Sequence, residues 1–488
     1  MATDDFFRAR IDQMIDLRHP LAVLAQRLPW DRLQEVLAPC FARDKAVDGG
    51  DGLIALGPDL FGPTPAQQRA PSNAGRPRLP MRLMISLLYL KHAFNLSDEE
   101  LVLRWSENVV WQYFSGMAYY EPRLPCDAAQ VSRFRSGIGE AGVEEILKAT
   151  IDTAVSMKAI ALSELERVIV DTTVQEKAVA HPTDSRLLEA SRRALVKAAK
   201  GLGIQLKQTY AREGKRLRWK AGRYGHARQY RRMRKAIKRQ RTITGRLLRD
   251  FERRLADVQM TQAQFEQLQT LFGRVRRILS QGKHTKGKLY ALHAPEVECI
   301  SKGKARKRYE FGVKVAVAVT HKRGLMVGAR SFAGNPYDGH ILSAQLEQTN
   351  ILLEDTGKQV KQVFADLGFR GVDRDNPGID ICHRGKFKSL SKRQRRWLRR
   401  RPAVEPAIGH LKADNRMDRC WLKGQEGDAI HAVLCAAGYN IRWLLRAVAR
   451  LGLVAAFLRL ILAALMERLQ RNSAQIGRVG SLQPVQMA

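Results

Sequence analysis

The sequence predicts an α/β protein: a mixed-sheet core that carries a basic helical insertion and is preceded by an all-α segment. Three observations lead there. β-branched runs at 167–175 (RVIVDTTVQ) and 309–320 (YEFGVKVAVAVT) have strand character, and helical stretches separate and follow them. A long stretch after residue 183 is helical by period and very basic, with 23 Lys plus Arg against 4 acids between Ser191 and Met260. The first 155 or so residues carry helical period, broken by a Gly-, Pro- and Asp-rich stretch from Asp48 to Pro80 that reads as a linker or arm.

Composition sets the outer limits. The chain has 488 residues, 84 Lys plus Arg against 48 Asp plus Glu, a formal net charge of +36 and 45% hydrophobic residues. Disorder throughout is excluded, and a polyanionic partner is implied. The six cysteines are scattered, with no Cys-x-x-Cys pair, so a reducing, cytoplasmic setting is expected and no disulfide framework. The opening MATDDFFRAR has no apolar core of a secretory signal. The longest apolar run, Leu451 to Met466, is interrupted by Arg459 and falls short of the roughly 20 residues that span a bilayer; it reads as a buried helix, and no membrane partner is expected.

Taken in order, PLAVLAQRLPWDRLQEVLAPCFA has helix period, MRLMISLLYLKHAF is amphipathic, and Ser97 with Glu100 forms a capping box before LVLRWSENVVWQYF. DAAQVSRFRSGIGEAGVEEILKATIDTAV completes the helical segment. Short helices with Arg-bearing faces suit a helix-turn-helix-like DNA reader, with an ordinary helical packing domain as the alternative. Thr183 and Asp184 offer N-caps to the basic block, whose run KRLRWKAGRYGHARQYRRMRKAIKRQR interleaves Trp219, Tyr224 and Tyr230 with cations. Cations neutralise phosphates and aromatics pack on sugars or bases; the competing reading is a charged arm without a specific partner. Thr261 and Gln264 cap a return helix. The run at 309–320, the turn HKRG and LMVGARSF then read as a hairpin, GNPYDGH (334–340) as a loop into LSAQLEQTNILLED, VKQVFADLGFRG as a strand ending at Asp366, and GIDICHRGK as a shorter strand. The last residues, Asn472 to Ala488, have little periodicity and are expected to form a mobile tail.

Two acids stand where strand sequence makes them costly: Asp171 after Val168, Ile169 and Val170, and Asp366 after Val363, Phe364 and Ala365. Two such acids on neighbouring strands suit shared hard cations, Mg²⁺ or Mn²⁺, and a pair of ions about 4 Å apart suits phosphodiester cleavage. Taken singly, each is more often a turn or cap residue at a strand end. A third comes from RRRPAVEPAIGHLKADNR, where Arg401, Glu405 and Lys412 have the spacing Arg-x3-Glu-x6-Lys, near one face of a helix; a surface ion-pair helix has the same pattern. Asp338 reads as a turn acid ahead of a helix, with a supporting role at the site as the alternative, and His410 as a packed or solvated histidine.

The order Asp171, Asp366, Glu405, with the Arg401/Glu405/Lys412 spacing, resembles the DDE transposases of bacterial insertion sequences, in the InsH-type branch of the superfamily with the Tyr-x2-Arg-x3-Glu-x6-Lys signature. VDTTVQ, PTDS, GNPYDGH, ADLGFRG and the helical stretch from GRPRLP to QYFSG match as well, so the resemblance runs from about Gly75 to about Leu445. It implies an RNase H-like catalytic fold in which Asp171, Asp366 and Glu405 hold two Mg²⁺ or Mn²⁺ ions. It also implies that Arg401 and Lys412 position DNA phosphates. The run KFKSLSKRQRRWLRRR (386–401), with Trp397, Arg395 and Arg396, leads directly into Glu405 and so reads as a DNA contact beside the site, with a solvated basic loop as the alternative. The partners implied are double-stranded DNA, as element ends and target, and further copies of the chain in a dimer or larger assembly, nucleoid-associated. One departure stands out: the signature's Tyr position is Leu398, with Trp397 beside it.

The expected domains are 1–80 (N-terminal helices and linker), 81–160 (helical DNA-binding domain), 161–445 (catalytic domain with an insertion at about 184–285) and 446–488 (C-terminal helix and tail). The activity implied is metal-dependent cleavage of DNA and joining of the ends to a target. The competing readings are a non-catalytic DNA-binding relative and a divalent-metal nuclease that cuts without joining.

Overall fold

A computed structural model describes residues 9–41, 78–255, 258–282, 284–301 and 308–479. Most of the expected linker at 48–80, and the end of the expected tail at 480–488, lie outside the described residues. The chain divides into two compact units: Met1–Ser163 with Asp355–Gly357 and Ala437–Ala488, and Glu164–Glu354 with Lys358–Ala436.

The first unit is helical: α1 (Ile11–Met14), α2 (Pro20–Arg27), α3 (Trp30–Leu37), α4 (Met81–Ala93), α5 (Asp98–Glu107), α6 (Val109–Phe114) and α7 (Ala128–Ser156). Pro29 ends the single N-terminal period as two helices. α4 is buried from Leu83 to Ala93, which suits its apolar composition all round and makes it the hub of this unit. Trp30 packs edge-on against Phe114 and Tyr89, and the Tyr89 hydroxyl donates to the Ile146 carbonyl at 2.6 Å. Ser97 accepts from the Glu100 N–H at 3.1 Å, the side-chain half of the expected box. Asn108 ends α5 and caps α6, so one expected helix is two. α7 kinks at Gly139, whose φ of +62° leaves the helical region.

The second unit is built on a mixed sheet. Its strands are β1 (Arg167–Glu176), β2 (Glu298–Ile300), β3 (Glu310–Thr320), β4 (Met326–Phe332), β5 (Gln362–Phe364) and β6 (Asp380–Cys382). The order is β2-β3-β1-β5-β6, with β4 also on β3. β1 lies antiparallel to β3 and parallel to β5, and β5 is parallel to β6. β1 is thus a central strand, buried on both faces, which explains its near-continuous run of Val, Ile and Thr. Its far end is fixed by Lys177, whose ammonium lies 2.7 Å from Asp428 and 3.0 Å from Glu296, and by Gln175, which donates to the Asp428 carbonyl at 3.1 Å.

Between β1 and β2 lie α8 (Asp184–Gly201), α9 (Ala211–His226), α10 (Tyr230–Leu255) and α11 (Gln262–Ser280). Their core is Leu195, Ile243, Leu247, Phe251, Phe272 and Val275, apolar positions that the basic sequence conceals. Thr183 caps α8, and Thr261 with Gln264 forms the complete capping box of α11. α12 (Leu342–Leu353), α13 (Lys392–Leu398), α14 (Val404–Asp414) and α15 (Gly424–Val479) follow. α15 begins in the second unit and continues in the first, so the helix runs into the stretch expected to be a tail from Asn472. The run from Leu451, expected to be buried, begins exposed: Leu451 is 41% accessible, and the side chains from 453 on lie outside the described set. Among the described residues no helix is long and apolar enough to cross a membrane.

Candidate active site

β1 places Asp171 in the middle of the strand, not at the end that an acid after three apolar residues suggests; it faces Val317 of β3. β5 closes at Phe364, so Asp366 lies two residues beyond it, at the cap of a 3-10 turn (Leu367–Phe369). Glu405 is in the first turn of α14, where the helix dipole favours a carboxylate. Arg401 precedes α14 in a short 3-10 turn (Arg401–Ala403).

These four side chains meet. The Arg401 guanidinium places Nη2 2.7 Å from Asp171 Oδ2 and 3.6 Å from Asp366 Oδ2, and Nη1 3.4 Å from Glu405 Oε1. The two aspartates are oriented alike. Asp171 Oδ1 accepts the Thr172 N–H at 2.8 Å and Asp366 Oδ1 accepts the Gly368 N–H at 2.8 Å, so in each the other oxygen faces the arginine. Exposure rises outward, from 13% for Asp171 through 42% for Asp366 to 64% for Glu405: a depression with its deepest acid on the central strand.

The donor set is oxygen only and converges on a cation, which is the chemistry hard divalent ions require. The cation at its centre is the chain's own. Among the described residues the three carboxylates do not all bring an oxygen within 4.8 Å of one another, the guanidinium filling the space between them. An ion shared by all three therefore requires Arg401 to withdraw. Buried Nε of Arg401 has no hydrogen-bond partner among the described residues, so the carboxylates are what hold its head group in place.

Other expected site residues are placed differently. Lys412 lies 3.1 Å from Glu310 and 3.9 Å from Glu176, tying α14 to β3 and β1 instead of joining Arg401. The Trp397 ring has the Arg167 guanidinium 3.7 Å and the Arg393 guanidinium 4.5 Å from its centroid, with His321 and Phe364 at its edges. His321 accepts or donates through Nε2 at the Trp397 carbonyl, 2.9 Å away, and burial holds its imidazole below the usual range. Arg395 donates to the Lys388 carbonyl at 2.9 Å and lies over Phe387; Arg396 is exposed. His410 pairs with Asp414 at 2.8 Å, on the exposed side of α14.

One residue escaped the sequence reading. Lys314 on β3 is buried and holds Asp338 at 2.9 Å and the Pro336 carbonyl at 2.5 Å. A lone cation between Val313 and Val315 was the available signal. The turn acid Asp338 is thereby brought beside Asp366: a Cβ on Gly368 would sit 2.9 Å from Asp366 Oδ1 and 3.0 Å from Asp338 Oδ2, so only glycine lets both carboxylates approach that backbone.

The family model described as Transposase domain (DUF772) matches residues 63–137, and the one described as Transposase DDE domain matches residues 381–445, a range that contains Arg401, Glu405 and Lys412. The "Uncharacterized protein ORF8 in nfe locus" of Rhizobium meliloti is 41% identical over 227 residues, which are 46% of this chain and 95% of that protein. No solved structure matches. The chain belongs to the insertion-sequence transposases of the DDE superfamily.

Proposed function

We propose that this protein binds the terminal inverted repeats of its own insertion sequence, cuts DNA there and joins the freed ends to a target, with Asp171, Asp366 and Glu405 as the metal-holding carboxylates. The observation that carries the reading is the single guanidinium within 3.6 Å of all three acids, which the chain assembles from β1, the end of β5 and α14. The sheet order supports an RNase H-like core: the first acid is on the central first strand, the second follows a neighbouring parallel strand, and the third opens a later helix.

Divalent ions held there, Mg²⁺ or Mn²⁺, would polarise the phosphate and lower the pKa of an attacking water. What the chain itself does is fix the donors. Backbone N–H groups lock one oxygen of each aspartate, and Lys314 holds Asp338 beside Asp366. Arg401, once released by the acids, has the fork geometry to take a phosphate in their place. Handling two element ends in one reaction calls for two copies of the chain or more. The all-α segment and the basic helices supply the remaining DNA contacts, and the branch is the InsH-type one, with Leu398 at its tyrosine position.

The test incubates protein, Mg²⁺ and labelled element ends with a target duplex. Cut and joined products are expected from the wild type and neither from Asp171→Ala or Glu405→Ala. Cleavage that persists in either variant overturns the site; cutting without joining reduces the activity to that of a nuclease.

A further inference from the structure

The helices between β1 and β2 contain a groove of about 1030 Å³. Its walls are the start of α8, the length of α9 and the first turns of α10. Arg186, Arg212, Lys215, Arg216, Arg218 and Arg223 line it, and no acid does. Two nearby acids are already engaged elsewhere: Glu189 pairs with Arg192 at 2.7 Å and Glu213 with Arg239 at 2.7 Å. Those two pairs also build the groove, because Glu213 ties α9 to α10. Gly214 lets α9 close on α8, since a Cβ there would sit 2.5 Å from Glu189 Oε2. The cations that face the groove are left over from this internal pairing. Among the described residues Arg212, Lys215 and Arg218 form no ion pair.

We propose that this groove is a DNA-backbone site separate from the acidic cluster, and that its ligand is the phosphate chain of duplex DNA. The inference rests on the reading that the protein acts on DNA. Arg212, Arg216 and Arg223, four and seven residues apart, share one face of α9 and span about 16 Å, the axial length of about five phosphates of one strand. Trp219, 61% exposed with the Arg223 guanidinium 4.5 Å over its ring, supplies an apolar wall against which sugars pack. A continuous face of cations over an apolar floor tracks a backbone and reads no sequence, so the groove adds affinity without choosing the site.

The experiment measures binding of the full chain to a duplex across a range of salt concentrations. Arg212→Gln/Arg216→Gln/Arg223→Gln is compared with Arg246→Gln/Arg249→Gln/Arg253→Gln, which removes the same charge from the exposed far end of α10. The groove variant is expected to bind at least tenfold more weakly near 0.1 M salt, with a log-log salt slope shallower by about 2 to 3, and the control to change much less. Gly222→Glu gives a second reading without loosening the fold: an added side chain there meets nothing within 4 Å, the substitution favours helix, and it sets a carboxylate in the groove. It is expected to weaken binding as well. Equal losses in groove and control variants, or unchanged binding by Gly222→Glu, overturn the groove. A wild type that binds no duplex at all overturns the DNA reading itself, and the groove with it.

Discussion

At Arg401 a guanidinium stands where a divalent cation would otherwise draw three carboxylates together. The sequence marked this residue as a phosphate ligand, because only its spacing to Glu405 and Lys412 was visible; its contacts with Asp171 and Asp366 join residues far apart in the chain. The two roles follow one another. Arg401 relieves the repulsion among the acids it touches, and on the proposed function a metal ion would have to displace it. Arg401→Ala is therefore expected to bind Mn²⁺ more tightly than the wild type in the absence of DNA, by about tenfold, which corresponds to about 1.4 kcal/mol of lost competition. Titration followed by the EPR signal of free Mn²⁺ measures it. Equal or weaker affinity would mean that the arginine holds the acids in a metal-ready geometry instead of blocking it.

Helix α14 shows how an element divides its labour. Its first turn carries Glu405 toward solvent, while its last turn sends Lys412 inward to Glu310, which is 4% exposed on β3. Helical spacing put Arg401, Glu405 and Lys412 near one face, and that much was legible. What a helical wheel lacks is the sheet beneath, where β3 presents a buried glutamate. Trp397 was likewise read as a DNA contact from its place in a basic run, but its ring already carries the guanidinium groups of Arg167, from β1, and of Arg393. Lys412 is expected to act on stability first. Lys412→Met removes the cation from a nearly buried carboxylate and should cost about 3 kcal/mol in chemical denaturation, far more than an exposed phosphate ligand would. A loss of DNA binding with stability intact would return Lys412 to the phosphate role.

Across the whole molecule, the strands, the hairpin and the basic helices were readable because local pattern determines them. VIVDTTV and VKVAVAVT have no helical reading, and 23 cations against 4 acids cannot be missed. Partner choice was not readable. Which acids the cations of α8, α10 and α14 meet depends on packing, and packing has turned Glu189, Glu213 and Glu310 into internal partners. The consequence reaches beyond any one residue, because the site has one arginine and two claimants for it. On the proposed function, a phosphate would draw Arg401 away from the acids and so favour a metal ion there, and a metal ion held by the acids would free Arg401 for a phosphate. By linkage, each ligand then raises the affinity for the other by the same factor. Mn²⁺ titrated against the wild-type chain with and without saturating duplex, corrected for Mn²⁺ taken up by DNA alone, is expected to bind about tenfold more tightly when DNA is present, a coupling of about 1.4 kcal/mol. In Arg401→Ala the high affinity should already be present without DNA and the enhancement should vanish. Coupling that survives the substitution would mean that DNA supplies its own oxygens to the ion, and that the arginine is a bystander to an interaction made directly between metal and phosphate.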